Sequence, residues 1–345
     1  MRWLGLDVGG ANIKVADGQG YAARYSFALW REPELLAGKL RTALAEAPPA
    51  DRIALTMTGE LADCFATRSE GVCHIMDAVE QAAAGRPLRV YLVDGRFVAP
   101  AVARDEPLKA AASNWHALAQ WAAHWVPEGQ GLLIDIGSTT TDLVPLRDGR
   151  VDTRLVTDTE RLIAGELVYT GVERSPICGL VQRLPYRGRE CPVMHEWFAT
   201  TLDVYLLLGE IKESPTARHT ADGRPATKAA ARIRLARMIG YPEPQFHHRD
   251  AVQIARHVAQ AQEERLAEAL RQVIARLQEP VRVVVLSGQG EFLARRVLAR
   301  VGLECRVISL TAELGMSVSA AAPAHAVAVL AQRTTSPTLP VPGSA

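Results

Sequence analysis

The sequence is short of the features that would commit it to a membrane, to nucleic acid or to the extracellular space. No apolar run approaches the ~20 residues that a membrane span needs, so no membrane partner is expected. Positive and negative charges nearly cancel, 39 Lys and Arg against 38 Asp and Glu for a formal net charge of +1. That balance removes the electrostatic case for nucleic acid or an anionic lipid surface as the main partner. Cysteine is scarce and scattered: Cys64, Cys73, Cys178, Cys191 and Cys305 form an odd set without a CxxC pair, which argues against a disulfide framework. Cys178, Cys191 and His195 lie close enough in sequence for a metal site to be weighed against reduced, packed thiols. Met1-Arg2-Trp3-Leu4 runs directly into the first structured motif, leaving no room for a cleavable signal, so a cytoplasmic location is expected. What remains is ordinary: 345 residues, 48% hydrophobic and 22% charged, enough for two domains with substantial cores.

One stretch organises the rest. In GLLIDIGSTTTDLV, Gly131 to Val144, an apolar run reads as a buried strand, a glycine and hydroxyl cluster must turn sharply, and Thr141-Asp142-Leu143-Val144 reads as the return strand. Backbone N–H groups around Gly137, with the hydroxyls of Ser138, Thr139 and Thr140, can surround a phosphate, and Asp135 at the strand end can hold a cation beside it. The same order occurs near the N-terminus in Gly5-Leu6-Asp7-Val8-Gly9-Gly10-Ala11-Asn12-Ile13-Lys14. Either copy alone is also a plain tight turn, since Asp and Gly are turn residues. Two copies in one chain suggest related half-domains whose Asp-x-Gly tips face one another across a cleft.

The stretches between them supply further candidates. Arg52 to Thr58 reads as a buried strand running into Gly59-Glu60-Leu61-Ala62-Asp63. A strand ending in Thr-Gly-Glu delivers polar side chains to its carboxyl end, where open α/β sheets bind ligands. Thr58, Glu60 and Asp63 are therefore site candidates, against the reading that the acids merely favour a helix N-terminus. Periodicity predicts helices over Gly71–Ala84, Ala110–Trp125 and Met194–Leu208, the last with Asp203 inside an apolar run. A buried carboxylate there needs a partner, so Asp203 is either a site residue or a cap for a loop. Arg174, extended before Pro176, is suited to a bidentate anion contact or is a solvated loop residue. Cys178 to Val193 reads as two short strands joined at Tyr186-Arg187-Gly188. The polar segment Ala221 to Thr227, with Arg224, is either a mobile lid or an exposed connection. Val281 to Leu286 is a strand entering Gly288-Gln289-Gly290 and a helix from Phe292. A small-residue helix is predicted over Leu314–Leu330, and the Pro/Ser/Thr-rich tail 334–345 is expected to be disordered.

Strand-Asp-x-Gly hairpins in duplicate resemble the actin, sugar-kinase and heat-shock chaperone ATPase superfamily, with its ribonuclease-H-like α/β half-domains. On that resemblance residues 1–128 form the first half-domain and 129–333 the second, with an insertion at about 176–248. Gly288, Gln289 and Gly290 then stand where the superfamily places its adenosine-contacting turn. A narrower resemblance covers nearly the whole chain. Gly5–Lys14, Thr56–Asp63, Ile134–Asp142, Tyr169–Pro176, Ala199–Gly209 and Thr220–Thr227 together are similar to the hydantoinase/oxoprolinase-like proteins. Within these they resemble the group encoded with tetrahydromethanopterin-linked C1-transfer genes, whose archaeal counterparts make methanofuran.

That resemblance implies a transferase that joins an aminomethylfuran-methanol diphosphate to the phenol of a tyramine- or tyrosine-type acceptor and releases diphosphate. Mg2+ on Asp7 and Asp135 would neutralise charge as the C–O bond breaks. Gly9, Gly10, Asn12, Lys14, Gly137, Ser138, Thr139, Thr140 and Arg174 would hold the diphosphate. Glu60, then Asp63, would accept the phenolic proton, with Asp135 also at the reacting centre. Thr58, Asp203 and Arg224 are the remaining substrate candidates. An ATP-dependent small-molecule kinase and a non-catalytic nucleotide-binding subunit stay open as alternatives, and so does a homodimer.

Overall fold

Trp3–Val8 is buried at all six positions, as a strand covered on both faces must be. It forms β1, followed by β2 (Asn12–Ala16), β3 (Ala22–Ser26), β4 (Arg52–Met57), β5 (Leu88–Tyr91) and β6 (Phe97–Val98). These make a six-stranded sheet in the order β3-β2-β1-β4-β5-β6, antiparallel from β3 to β1 and parallel from β1 through β4 to β5. A second sheet contains β7 (Gln130–Ile136), β8 (Thr141–Arg147), β9 (Arg150–Val151) and β10 (Leu167–Val168). After a separate hairpin, β11 (Arg183–Tyr186) and β12 (Arg189–Pro192), the chain returns to that sheet with β13 (Val283–Ser287) and β14 (Arg306–Ser309). Its order, β10-β8-β7-β13-β14 with β9 on β8, repeats β3-β2-β1-β4-β5 position by position. The computed structural model describes residues 1–241 and 245–335.

The helices are, in order, α1 (Leu36–Glu46), α2 (Arg68–Ala83), α3 (Pro100–Asp105), α4 (Pro107–Ala110), α5 (Asn114–Ala122), α6 (Asp158–Ala164), α7 (Thr201–Leu208), α8 (Lys228–Arg237), α9 (His248–Ile274), α10 (Glu291–Val301), α11 (Leu310–Leu314), α12 (Met316–Ala320) and α13 (Ala322–Thr335). Two compact units result: residues 1–133, 144–158 and the segment from Val307 onward, and residues 134–143 with 159–306. Among the described residues no helix is long and apolar enough to cross a membrane.

Alternation along β1 sorts its side chains between two layers of the first unit. Leu4, Leu6 and Val8 join Ile53, Leu55 and Met57 of β4 in a core covered by α1 and α2. Trp3 faces the other way, with Ala54, Tyr91, Ala117, Val327 and Ala331, where α5 and α13 pack. Gly5 lies on that second face because the helix backbone comes down on it. A Cβ there would sit 1.9 Å from the Ala324 carbonyl oxygen and 2.9 Å from Val327 Cγ1. Asp7, two residues on, shares this face and is 2% exposed.

Several predicted boundaries need correction. The helix expected over Ala110–Trp125 starts at Asn114, because Ala112 turns the chain in a left-handed conformation at φ 47°. The helix expected from Met194 covers only Thr201–Leu208, since Thr200 and Asp203 form a capping box there and residues before it are turn and loop. The one expected over Leu314–Leu330 is broken at Gly315, φ 82°, into α11, α12 and α13. Conversely, α2 begins at Arg68 rather than Gly71, since Thr67 caps it by accepting from the Glu70 amide. The turn at Arg187-Gly188 is as expected, with both residues at positive φ. Of the tail, Thr334 and Thr335 end α13 and the rest lies outside the described residues.

Substituting Gly5→Ala is expected to destabilise the fold by at least the upper end of the roughly 1–3 kcal/mol typical of overpacking, because the opposing atom is backbone and cannot rotate away. Urea denaturation measures this, and a loss of under about 0.5 kcal/mol would show that α13 yields freely.

Candidate active site

Both Asp-x-Gly tips close in the same way. The Gly9 amide donates to the Asn12 carbonyl at 2.9 Å, and the Gly137 amide donates to the Thr140 carbonyl at 2.9 Å. In each unit the residue after the aspartate accepts from a turn that follows the neighbouring strand. Thr58 N–H reaches the Val8 carbonyl at 3.0 Å, and Gly290 N–H reaches the Ile136 carbonyl at 2.9 Å. The glycines of those turns are close-approach residues: a Cβ on Gly59 would lie 3.1 Å from the Val8 oxygen, and one on Gly288 would lie 2.4 Å from the Ile136 oxygen and 2.7 Å from Asp135 Oδ1. The sequence duplication is thus a duplication of backbone geometry.

In the first unit, Asp7 and Lys14 are register partners on β1 and β2, and Lys14 Nζ donates to Asp7 Oδ2 at 3.0 Å. Asp7 Oδ1 is buried with no hydrogen-bond partner among the described residues. The two roles assigned from sequence, cation ligand and phosphate contact, therefore draw on one ion pair, and Oδ1 is the hard oxygen left for a cation. Asn12 accepts from Arg24 Nε at 3.1 Å through its side-chain oxygen. Gly9 and Gly10 shape the tip, with the Gly10 carbonyl accepting from Leu29 N–H.

Glu60 is the most constrained group. It lies in the single 3₁₀ turn Gly59–Leu61, is 1% exposed, and is covered by α2, where a Cβ on Gly71 would sit 2.5 Å from the Glu60 carbonyl. Its Oε1 accepts from Arg68 Nη2 at 3.0 Å, and the same Nη2 donates to Asp158 Oδ2 at 2.6 Å. Burial pushes the Glu60 carboxyl above the ordinary carboxylate range; Arg68 and the amides of Glu60 and Ala112 pull against that, and Asp158 adds to it. Asp63 is exposed on the turn that follows. Thr58 is half-buried at the start of the 3₁₀ turn, and Thr56, the register partner of Asp7 on β4, shares a buried hydrogen bond with Ser113 at 2.8 Å.

In the second unit the hydroxyl tip rests on the turn 170–175. The Gly137 carbonyl accepts from Val172 N–H, and the Ser138 carbonyl accepts from the amides of Glu173 and Arg174. Gly171 has no room for a side chain, with the Gly137 oxygen 2.5 Å from a notional Cβ. Behind this contact runs a buried polar network. Gln262 Nε2 donates to Thr170 Oγ1 and to the Gly171 carbonyl, Thr201 Oγ1 donates to the same carbonyl, and Tyr205 OH donates to Gln262 Oε1 at 2.6 Å. Ser138, Thr139 and Thr140 stay half-buried at the tip, with Ser138 and Thr139 hydroxyls 3.4 Å apart. Asp135 and Arg174 are half-buried, and Gly288-Gln289-Gly290 packs on Ile136.

Residues 51–334 match the family model of hydantoinase/oxoprolinase. The chain belongs to the hydantoinase/oxoprolinase family. It is 33% identical over 335 residues to the (4-{4-[2-(gamma-L-glutamylamino)ethyl]phenoxymethyl}furan-2-yl)methanamine synthase of Methanocaldococcus jannaschii, spanning 96% of this chain and 97% of that one. A protein of the same name from Methanococcus vannielii is 30% identical over 201 residues, 58% of this chain and 89% of its own. Among solved structures, nucleotide-free acetone carboxylase aligns over 95% of this chain and 70% of its own at TM-score 0.54 and 10% identity, a likeness of fold alone. The fold is α/β with two half-domains whose sheets repeat one strand order, as expected.

Elsewhere in this hydantoinase/oxoprolinase chain the candidates have structural duties. Asp203 caps α7 by accepting from the Thr200 amide through Oδ2, and its Oδ1 takes Arg234 Nε at 2.7 Å. Arg234, fully buried, continues to Asp222 Oδ1 at 3.0 Å, which ties the polar segment 216–227 to α8. Of the two readings of that segment, the anchored connection fits the geometry: the Ser214 amide donates to the Ala226 carbonyl, and Arg224 is exposed beside Asp222. Cys178 and Cys191 have backbone carbonyls near their thiols, and among the described residues no group of three His, Cys, Asp or Glu is placed to hold a metal. All five cysteines are free.

Arg68 and Asp158 were missed from sequence. Thr67-Arg68-Ser69-Glu70 carried the signal, since a Thr with Glu three residues later opens a helix and puts Arg68 in its first turn, beside the Glu60 turn. Nothing local announces Asp158. Replacing Asp203 by Ala leaves Arg234 buried with half its anionic partners, and a loss of about 3–5 kcal/mol is expected by chemical denaturation. A loss below about 1 kcal/mol would show that Asp222 alone suffices.

Proposed function

We propose that the chain forms an aryl furanylmethyl ether on the route to a methanofuran-type cofactor. The phenol oxygen of a tyramine- or tyrosine-type acceptor displaces diphosphate from an aminomethylfuran-methanol diphosphate. Two lines support the reading. The end-to-end likeness to the archaeal synthase brings its named phenoxymethylfuran product into consideration. The observation that carries the chemistry is Glu60, a carboxylate 1% exposed at the end of a central strand, beside the Asp7 hairpin.

Forming an ether from a phenol needs a proton acceptor and a stable leaving group. Glu60, with its affinity for protons raised by burial, matches a phenol better than a solvated carboxylate does. A backbone tip that surrounds phosphate oxygens suits a diphosphate, and the Lys14 ammonium beside the first tip assists its departure; Arg174 is the cationic candidate at the second tip. The furan oxygen shares positive charge on the methylene carbon as its C–O bond to diphosphate lengthens. The protein's remaining work is to orient the phenol and exclude water, which would otherwise capture that carbon.

Mg2+ belongs to this reading, because Asp7 Oδ1 is a buried, unpartnered hard oxygen and Asp135 is the equivalent residue of the second tip. Such an ion supplies neutralisation of the charge that builds on the departing diphosphate. A cytoplasmic setting, with reduced thiols, is part of the same reading.

The test is to incubate the protein with a furanmethyl diphosphate and a tyramine-type phenol, following diphosphate by phosphorus NMR and the ether by mass. Stoichiometric diphosphate and ether are expected. Phosphorylation of a furan alcohol by ATP, without ether, would turn the assignment to a kinase. Glu60→Gln should lower turnover by roughly 10²–10⁴-fold while the protein stays folded. Because the base must be ionised, the wild-type rate should rise with pH through a pKa above the ordinary carboxylate range. Unchanged turnover in Glu60→Gln or in Lys14→Ala would remove that residue from its role.

A further inference from the structure

The ion pair between Glu60 and Arg68 is joined on one side only. Arginine and carboxylate commonly close a fork of two parallel hydrogen bonds. Here Arg68 Nη2 donates to Glu60 Oε1 and to Asp158 Oδ2, and no second bond between Glu60 and Arg68 is made. The leftover atoms are Arg68 Nε and Glu60 Oε2, both buried and both without a hydrogen-bond partner among the described residues. One is a donor and the other an acceptor. A buried unsatisfied group costs about 1–3 kcal/mol, more when charged, so two within one ion pair call for an explanation.

Three further observations bear on it. The backbone amide of Ala112 is directed at Glu60 and favours its charged form, and Ala112 is held at φ 47°. The other described non-glycine residues with positive φ stand at a helix end (Ala84) or in hairpin turns before glycine (Asp148, Arg187), where that conformation is ordinary. Ala112 likewise follows a helix end, one residue beyond the C-cap Ala111 of α4, in the turn that brings its amide to Glu60. The triad is also reached from solvent: Arg68 and Asp158 keep 28% and 23% of their side-chain surface exposed while Glu60 keeps none. Finally, apolar residues are exposed next to it in sequence, Leu61 at 53% beside Glu60 and Val156 at 46% two residues before Asp158.

We propose that the unmade leg of the Glu60–Arg68 pair is a hydroxyl-binding site, at which Arg68 Nε–H donates to the acceptor's oxygen and Glu60 Oε2 accepts its proton. A hydroxyl has one hydrogen to give and lone pairs to receive, so it satisfies both leftover atoms at once. Exposed apolar surface beside the triad suits an aromatic ring carrying that hydroxyl. The assignment rests on the ether-forming reading for the phenol, and makes Arg68 a catalytic residue in it. The phenolic proton passes to Glu60 Oε2, and Arg68 Nε–H holds the oxygen as its electron pair forms the bond to the furanmethyl carbon. The bond from that carbon to the diphosphate oxygen breaks, and its pair leaves with diphosphate. Asp158 acts through Arg68 as a positioning residue, holding Nη2 so that Nε stays free.

Binding of matched probes to the full chain tests this, by NMR titration with 4-ethylphenol against 4-ethylanisole and with furfuryl alcohol against its methyl ether. Wild type should prefer the phenol over its methyl ether by about 10- to 100-fold, the range for a hydrogen bond to a charged group. Arg68→Lys, which keeps the buried cation but lacks Nε–H, should bring the ratio near one. Glu60→Leu should do the same wherever circular dichroism shows it folded. Preference for the alcohol but not for the phenol would sustain the hydroxyl site and overturn the phenolic acceptor of the proposed reaction. Equal binding within both wild-type pairs, or full preference retained in Arg68→Lys, would overturn the site whatever the outcome of the ether-synthesis assay.

Discussion

A carboxylate taken out of water at the end of a central strand is costly to keep charged, and much of the first unit is arranged around that one fact. Glu60 sits at a turn whose Gly59 comes close to the Val8 carbonyl, under a helix that only Gly71 allows to come so near. Arg68 offsets the burial from the first turn of α2, and Asp158 offsets Arg68 in turn. Each step passes charge outward, from a group that is wholly buried to ones that water reaches. The residual imbalance, a carboxyl that holds its proton more tightly than usual, is what suits the group to proton transfer.

The second unit repeats the scaffold and spends its polar groups differently. Its tip carries hydroxyls rather than a lysine, and it is supported from behind by Gln262, Thr170, Thr201 and Tyr205 rather than by an ion triad. The support is made of satisfied hydrogen bonds and so serves rigidity. The duplicated backbone thus carries two chemically unlike tips, Asp7 paired with Lys14 in the first unit and a run of hydroxyls after Asp135 in the second.

Legibility in the sequence followed the range of the interaction. The paired Asp-x-Gly hairpins and the Arg187-Gly188 turn are local patterns, and they stand where they were expected. Helix ends were less legible where a single residue decides: Ala112 breaks a mostly apolar run, and the Thr200–Asp203 box starts α7 inside one that looked continuous. Asp203 could be read only as needing a partner; the partner, Arg234, lies 31 residues away on another helix. Glu60 was legible as a strand-end acid. Its environment was not, because Asp158 is 90 residues from Arg68 and no local pattern joins them.

The measurement closest to the heart of this account is the titration of Glu60 itself, read from the carboxyl carbon by NMR in protein labelled at glutamate, with Glu60→Gln to assign the signal. The account predicts a midpoint clearly above the ordinary value of 4.5, raised by burial against the pull of Arg68. It also predicts that Arg68→Lys and Asp158→Asn each move that midpoint. A midpoint at or below 4.5, insensitive to both substitutions, would mean that Glu60 is a solvated acid in solution, and the case for it as the proton acceptor would fail.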